Sequence, residues 1–364
     1  MNLTFTTILD ILGFVQGTLL GIILLLSFKK NKAIPFLGLF LVTYSIELIL
    51  SIGDETGYIE QYPELLFLPL EFYWLFMPAL FIYTKNIAAE IDWRSDYKHF
   101  LPGIVEFIVF SILFLAPVES KIKWDEAGFI WVFHFLISFF LVLIYTLMTI
   151  RLINRHKKRM ADFYSSLQGK TLRWIKWICY YILFTLFIIP SFGFFEEFTD
   201  LIFSWVNVIF IFWVALSGFR QVFISLPDNL SKQPGASLAI PPSSSSDIHS
   251  ERKNYDQILN FLQTERPFTD PKLNLASLAE QLHFSPRRLS NLINEVGGIN
   301  FNQLINRFRV ENAKELLSNP DMRHLNLLGI AYEVGFNSKT SFYTTFKQMT
   351  GQTPAQFKKS VMAI

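Results

Sequence analysis

Seven stretches of apolar residues, each about twenty positions long, fill most of the first 220 positions: about 8–28, 33–52, 65–84, 100–117, 129–150, 174–193 and 201–219. A run of that length crosses a hydrocarbon core of roughly 30 Å, so the pattern predicts seven membrane helices. A core helix of a soluble protein could explain one such run, but not seven in succession; the fourth is the shortest. Beyond position 250 the pattern changes. Apolar residues recur there at helical spacing with polar residues between them, as in a soluble helical domain.

Charges in the connecting segments test the seven-span reading independently, because Lys and Arg are retained on the cytoplasmic side of a membrane. Lys29, Lys30 and Lys32 follow the first stretch, and Lys85, Arg94 and Lys98 follow the third. The segment after the fifth is strongly basic, with Arg151, Arg155, Lys157, Lys158 and Arg159 followed by Lys170, Arg173 and Lys176; Arg220 ends the seventh. Alternate connections are acidic: Asp54, Glu55, Glu60 and Glu64 after the second, and Glu196, Glu197 and Asp200 after the sixth. Lys121 and Lys123 break the alternation, among acidic neighbours. The expected topology has the N-terminus outside and the C-terminus in the cytoplasm. No Lys or Arg precedes the first apolar run, so a cleavable signal peptide is not expected.

Composition agrees with a membrane half. Of the 364 residues, 51% are apolar, 16% aromatic and only 17% charged, and 39 are Phe; soluble domains carry about 25% charged residues. The net charge of +2 says little about partners, because it averages two unlike halves. A single cysteine, Cys179, excludes an intrachain disulfide framework and reads as a buried thiol. Glu47, Glu71, Glu106 and His134 fall in or near predicted spans, where a titratable group is costly. For Glu47 and His134 a signal-sensing role and a structural one both stand open. For Glu71 and Glu106 a place near an interface, or a bond to a neighbouring helix, is preferred. A lone histidine without companions excludes a metal site.

From Pro227 to Ser250 the chain is rich in Pro, Ser and Gly and lacks helical periodicity, as in a flexible tether. As a coil it would reach about 27 Å. Three regions are therefore expected: a membrane domain over 1–226, a linker over 227–250 and a soluble domain over 251–364. The last has fourteen Lys plus Arg against ten Asp plus Glu, too modest an excess to argue for nucleic acid alone.

Its pattern argues better. Leu275, Leu278, Ala279 and Leu282 form one helical face, and His283-Phe284 breaks it. Ser285-Pro286 then suits the cap and first position of a second helix, which buries Leu289, Leu292, Ile293 and Val296 and stops at Gly297-Gly298. The arrangement recurs: Leu327, Ile330, Ala331 and Val334, a turn at Gly335-Phe336, a cap at Asn337-Ser338, then Phe342 and Phe346. The turn position favours a positive φ, best served by glycine and tolerated by histidine. Residues about 300–318 read as one linking helix of about 27 Å, compatible with two recognition helices in major-groove segments roughly 34 Å apart.

These residues resemble the AraC/XylS family of transcription regulators. The resemblance rests on Arg309, Ala313, Leu316 and Leu317, on Ile330 to Phe336, and on Ser341-Phe342, Phe346-Lys347, Gly351, Thr353-Pro354 and Phe357. It covers about a third of the chain. It implies an all-α domain whose two helix-turn-helix units contact one face of double-stranded DNA. By position, Arg287, Arg288, Ser290 and Asn291 would contact DNA in the first unit, and Lys339, Thr340, Ser341 and Thr344 in the second. His283 departs from the family's glycine at the first turn, and the second recognition helix exposes mostly short side chains.

The fold class expected is all-α: a polytopic seven-helix transmembrane domain plus a cytoplasmic double helix-turn-helix domain. The expected function is a membrane-bound one-component regulator in the bacterial inner membrane. Its partners would be specific double-stranded DNA, the lipid bilayer, a second copy of the chain, RNA polymerase and an unidentified signal ligand, with no cofactor. The competing reading is a transporter or channel whose tail mediates protein contacts, although no repeat between halves and no matched pair of broken helices supports it. No metal-ligand motif, phosphate loop or nucleophile constellation points to an enzyme.

Overall fold

Apolar runs of this length satisfy their backbone groups within helices. In a computed structural model of the chain, the described residues form helices and turns, with a single isolated bridge between Tyr164 and Asn274 and no strand. The structure describes residues 4–362 apart from 28–31, 89–95, 168–170, 189–195, 222–244, 320 and 323–324. Lys29, Lys30, Arg94, Lys170 and most of the 227–250 linker therefore lie outside the described residues. The chain divides into two compact units, one of residues 1–154 and 172–234, the other of residues 155–171 and 235–364.

Five helices among the described residues are long and apolar enough to cross a membrane: Phe5–Leu26, Ile34–Glu55, Tyr97–Phe114, Phe129–Phe163 and Leu201–Gln221. They cover the first, second, fourth, fifth and seventh predicted spans. The helix Phe5–Leu26 packs on Ile34–Glu55 at close range. A Cβ at Gly38 would lie 2.7 Å from the Gly21 carbonyl oxygen and 2.6 Å from the Leu25 nitrogen. Small residues that let backbones approach are how helices associate where lipid offers no hydrophobic drive. The core joins Leu37, Phe40 and Leu41 to Leu80, Ile178 and Ile211. Cys179 is buried within this unit, as expected.

The third predicted span is not one helix. Residues 65–84 divide into a 3-10 turn at Pro63–Leu65, an irregular stretch with Phe67 at φ +60°, and a helix starting only at Tyr73, Tyr73–Ile87. Pro69 supplies the reason: it has no N–H to donate and it disfavours helical backbone in the residue before it. The fifteen residues of Tyr73–Ile87 rise only about 22 Å. The helix Arg173–Ile188, on the sixth stretch, has sixteen residues. Lys121, one of the two breaks in the charge alternation, is buried; its ammonium donates to the Glu64 carbonyl at 2.6 Å and lies 4.4 Å from the Phe114 ring centre.

In the second unit, the helix Ser245–Glu265 begins six residues before the boundary expected from composition. Two cores follow. Ile258 and Leu262 join Leu275, Leu278, Leu289, Ile293 and Leu304 in one; Val310, Ala313 and Leu317 join Ile330, Val334, Phe342 and Phe346 in the other. The helix Phe301–Ser318 gives its first half to one core and its second half to the other.

Candidate functional site

The two helix pairs of the second unit are built with the same bonds. Asn274 caps Leu275–Gln281 by accepting the Ser277 N–H at 3.0 Å, and Asn326 caps Leu327–Glu333 by accepting the Gly329 N–H at 2.7 Å. Across each turn the amide after the turn residue returns to the alanine: Phe284 N–H to the Ala279 carbonyl and Phe336 N–H to the Ala331 carbonyl, both 2.9 Å. The turn residues themselves, His283 at φ +56° and Gly335 at φ +93°, are left-handed, as their positions require. Ser285 and Ser338 then cap the second helices by accepting the Arg288 and Ser341 amides at 3.3 and 3.2 Å. The first of these, Pro286–Asn291, continues as a π-helical turn over Leu292–Val296; the second is Lys339–Thr350.

Residues named from the sequence sit on the outer faces of these helices. Arg287, Arg288, Lys339, Thr340 and Thr344 are exposed, while Ser290, Asn291 and Ser341 are half-buried. The Arg288 guanidinium lies 5.6 Å from the Phe284 ring centre and the Lys339 ammonium 5.5 Å from that of Tyr343. The Ser290 hydroxyl accepts from the Asn294 amide at 3.2 Å. Lys347, exposed two turns along from Lys339, adds a cation that the positional reading did not assign. Arg309, noted only as part of a resemblance, is 1% exposed and donates to the carbonyls of Phe268 (2.7 Å) and Asp270 (2.9 Å). Burial pushes its pKa down to about 10, opposed by the nearby Asp270, which leaves it charged at neutral pH. It ties the linking helix to the loop that precedes the first helix-turn-helix pair.

Residues 278–360 match the family described as Helix-turn-helix domain. The chain carries an AraC-type helix-turn-helix domain at its C-terminus. Similar proteins include an uncharacterized HTH-type transcriptional regulator of Staphylococcus aureus (strain COL), 37% identical over 92 residues. Another, from Escherichia coli (strain K12), is 31% identical over 87 residues. The matched parts cover 25% and 24% of this chain, and only 12% and 30% of those relatives. Among solved structures, the C-terminal domain of a two-component response regulator from Fusobacterium nucleatum is 32% identical. The match covers 29% of this chain and 98% of that one, with a TM-score of 0.26.

The titratable residues of the first unit also come together. The Phe72 N–H donates to Glu47 Oε1 at 2.6 Å and the Trp74 N–H to Glu106 Oε2 at 2.9 Å. Both carboxylates thus satisfy the bare amides at the start of Tyr73–Ile87, where a helix leaves its first N–H groups without internal acceptors. Glu106 is held in turn by His134 Nε2 at 2.8 Å, and the His134 ring stacks 5.7 Å from that of Trp74. Glu106 therefore bonds neighbouring helices, while Glu71 lies buried beside the same site. Glu47 and His134 line one cavity of about 790 Å³, together with Asp10, Tyr44, Glu71 and Asn207. Asn207 Oδ1 accepts the hydroxyls of Tyr44 and Tyr181 at 2.7 and 2.8 Å. The role of Glu47 and Glu106 as caps was not visible in sequence; a proline within one apolar stretch and carboxylates within two others were the available signal.

Proposed function

We propose that the protein is a membrane-bound one-component transcription regulator. The first unit spans the bacterial inner membrane with seven segments, N-terminus outside, and the C-terminal domain binds specific double-stranded DNA in the cytoplasm. The observation that carries the reading is the pair of helix-turn-helix units, each with a capped second helix that exposes a cation in its first turn, Arg287 in one and Lys339 in the other. Arg287, Arg288, Ser290 and Asn291 contact DNA in the first helix-turn-helix unit, and Lys339, Thr340, Ser341 and Thr344 in the second helix-turn-helix unit.

Support for the membrane comes from apolar side chains left uncovered along the long helices, among them Ile112 (66%), Phe133 (63%) and Ile209 (63%). Water tolerates single exposed residues of this kind but not whole faces of them. The cavity that contains Glu47 and His134 serves as the signal site, and the signal changes how two DNA-binding domains are presented. A second copy of the chain raises the effective concentration of one domain near another.

The test is recovery of genomic fragments by the full-length protein in detergent at near-physiological salt, beside a variant carrying Arg287→Ala and Lys339→Ala. A shared sequence motif, lost in the variant, is expected. Recovery without a motif, or equal recovery by the variant, would remove the assignment.

A further inference from the structure

The compact unit that carries the helix-turn-helix domain also contains a short segment from far upstream in the chain. Phe163–Ser166, at and just beyond the end of the helix Phe129–Phe163, occupies the junction where the two helix-turn-helix units meet. Phe163 packs against the first core, and Tyr164 forms an antiparallel bridge with Asn274. Ser165 is 1% exposed. Its hydroxyl donates to the Leu273 carbonyl at 2.5 Å and its amide to the same oxygen at 3.4 Å. The Asn302 side-chain amide donates to the carbonyls of both Tyr164 (3.2 Å) and Ser165 (2.7 Å). Arg309 donates to the Ser165 carbonyl at 3.4 Å and hydroxyl at 3.3 Å. Finally, Asn337, immediately before the Ser338 cap of the second recognition helix, donates to the Ser166 hydroxyl at 3.1 Å.

The partners are distributed in a telling way. Leu273 and Asn274 enter the first helix-turn-helix unit, Asn302 and Arg309 belong to the linking helix, and Asn337 opens the second recognition helix. The two units have separate cores joined by that one helix, so their mutual placement depends on what fills the junction. At the same place Gly335 approaches the preceding loop so closely that a Cβ there would lie 2.5 Å from the Phe268 carbonyl oxygen. Two recognition helices reach successive major-groove segments together only when their spacing and orientation are held. Once one is bound, the second binds as an intramolecular event whose strength depends on that geometry.

We propose that Phe163–Ser166 is a clasp. Docked, it fixes the two helix-turn-helix units relative to each other in the arrangement that binds a two-part site; withdrawn, it lets them move apart in orientation. The segment ends the helix Phe129–Phe163, which begins with the fifth apolar stretch, so a signal that shifts that stretch reaches the DNA-binding domain through the helix and the clasp and needs no transmission along residues 227–250. The inference rests on the reading of this unit as a DNA reader.

The experiment uses the full-length protein in detergent and a genomic fragment recovered by it, intact or with either half of its motif scrambled. Two variants release the clasp by different means. Ser165→Trp cannot fit the buried site and lies outside the helix-turn-helix domain; Asn302→Asp sets a carboxylate against the two carbonyls to which the amide now donates. In both variants the preference for the intact over the half-scrambled fragment is expected to fall by about tenfold or more (about 1.4 kcal/mol), while affinity for the half-scrambled fragments stays unchanged. General damage to the domain would lower both. Unchanged preference in both variants, with the wild-type protein binding DNA, would overturn the clasp and leave the DNA-reading assignment standing. Increased preference would show the docked segment to be an inhibitor and would also overturn it. A wild-type protein that recovers no fragment removes the DNA-reading assignment itself, and the clasp with it.

Discussion

Two corresponding positions, the turn residues His283 and Gly335, are expected to respond oppositely to substitution. At Gly335 the backbone has φ +93°, and a Cβ would stand 2.5 and 2.8 Å from the Phe268 and Thr269 carbonyl oxygens. For Gly335→Ala, left-handed backbone costs a non-glycine residue about 1–2 kcal/mol. Overpacking adds about 1–3 kcal/mol, and reduced freedom of the unfolded chain returns about 0.4–1 kcal/mol. The net loss is about 1–4.6 kcal/mol. At His283, with φ +56° and an exposed side chain, His283→Gly relieves the same strain and gives up only the unfolded-chain term, a net gain of about 0–1.6 kcal/mol. Urea titration of the full chain in detergent, read by pulse proteolysis of the C-terminal domain, measures both. With a slope of about 2 kcal/mol per molar urea, the middle of the usual range, Gly335→Ala lowers the midpoint by about 0.5–2.3 M and His283→Gly leaves or raises it. Equal midpoint shifts, or a harmless Gly335→Ala, would refute the account of the turns.

Removing the cap with Ser338→Ala should cost about 1 kcal/mol by the same titration, with unchanged slope. Arg287→Ala and Lys339→Ala, made singly, should each lower DNA affinity, and each that loses a phosphate contact should reduce the slope of log affinity against log salt by about 1; fluorescence titration across salt concentrations checks this. In the first unit, Glu47→Ala orphans the Phe72 amide and should cost about 1–3 kcal/mol, whereas Glu47→Gln keeps an acceptor and should melt near the wild-type temperature in detergent.

Much of the C-terminal domain was legible because its signals are local. Ser285-Pro286, Asn337-Ser338 and the paired alanines lie within a few residues of the bonds they make, and the helical spacing of Leu304, Ala313 and Leu317 carries the linking helix. His283 stood out as a departure, yet its left-handed backbone shows that it fills the glycine's conformational place. The third apolar stretch misled because hydropathy counts residues and not amides: Pro69 ended the helical path, and carboxylates from two other helices satisfied the amides that resume it. The start of Ser245–Glu265 was hidden by serine-rich composition. Phe163–Ser166 carries no periodicity at all, and its partners lie more than a hundred residues away, so only the folded chain brings them together. Nor does a pattern of residue types show that Glu47 and His134 share a cavity.

The most direct measurement is sequencing of DNA cross-linked to the protein in intact cells and recovered with the membrane fraction. The account predicts a small set of discrete sites sharing one motif, found with the membrane and lost when Arg287 and Lys339 are both changed to Ala. Protein and DNA recovered in the soluble fraction, or uniform genomic recovery unaffected by the two substitutions, would contradict it.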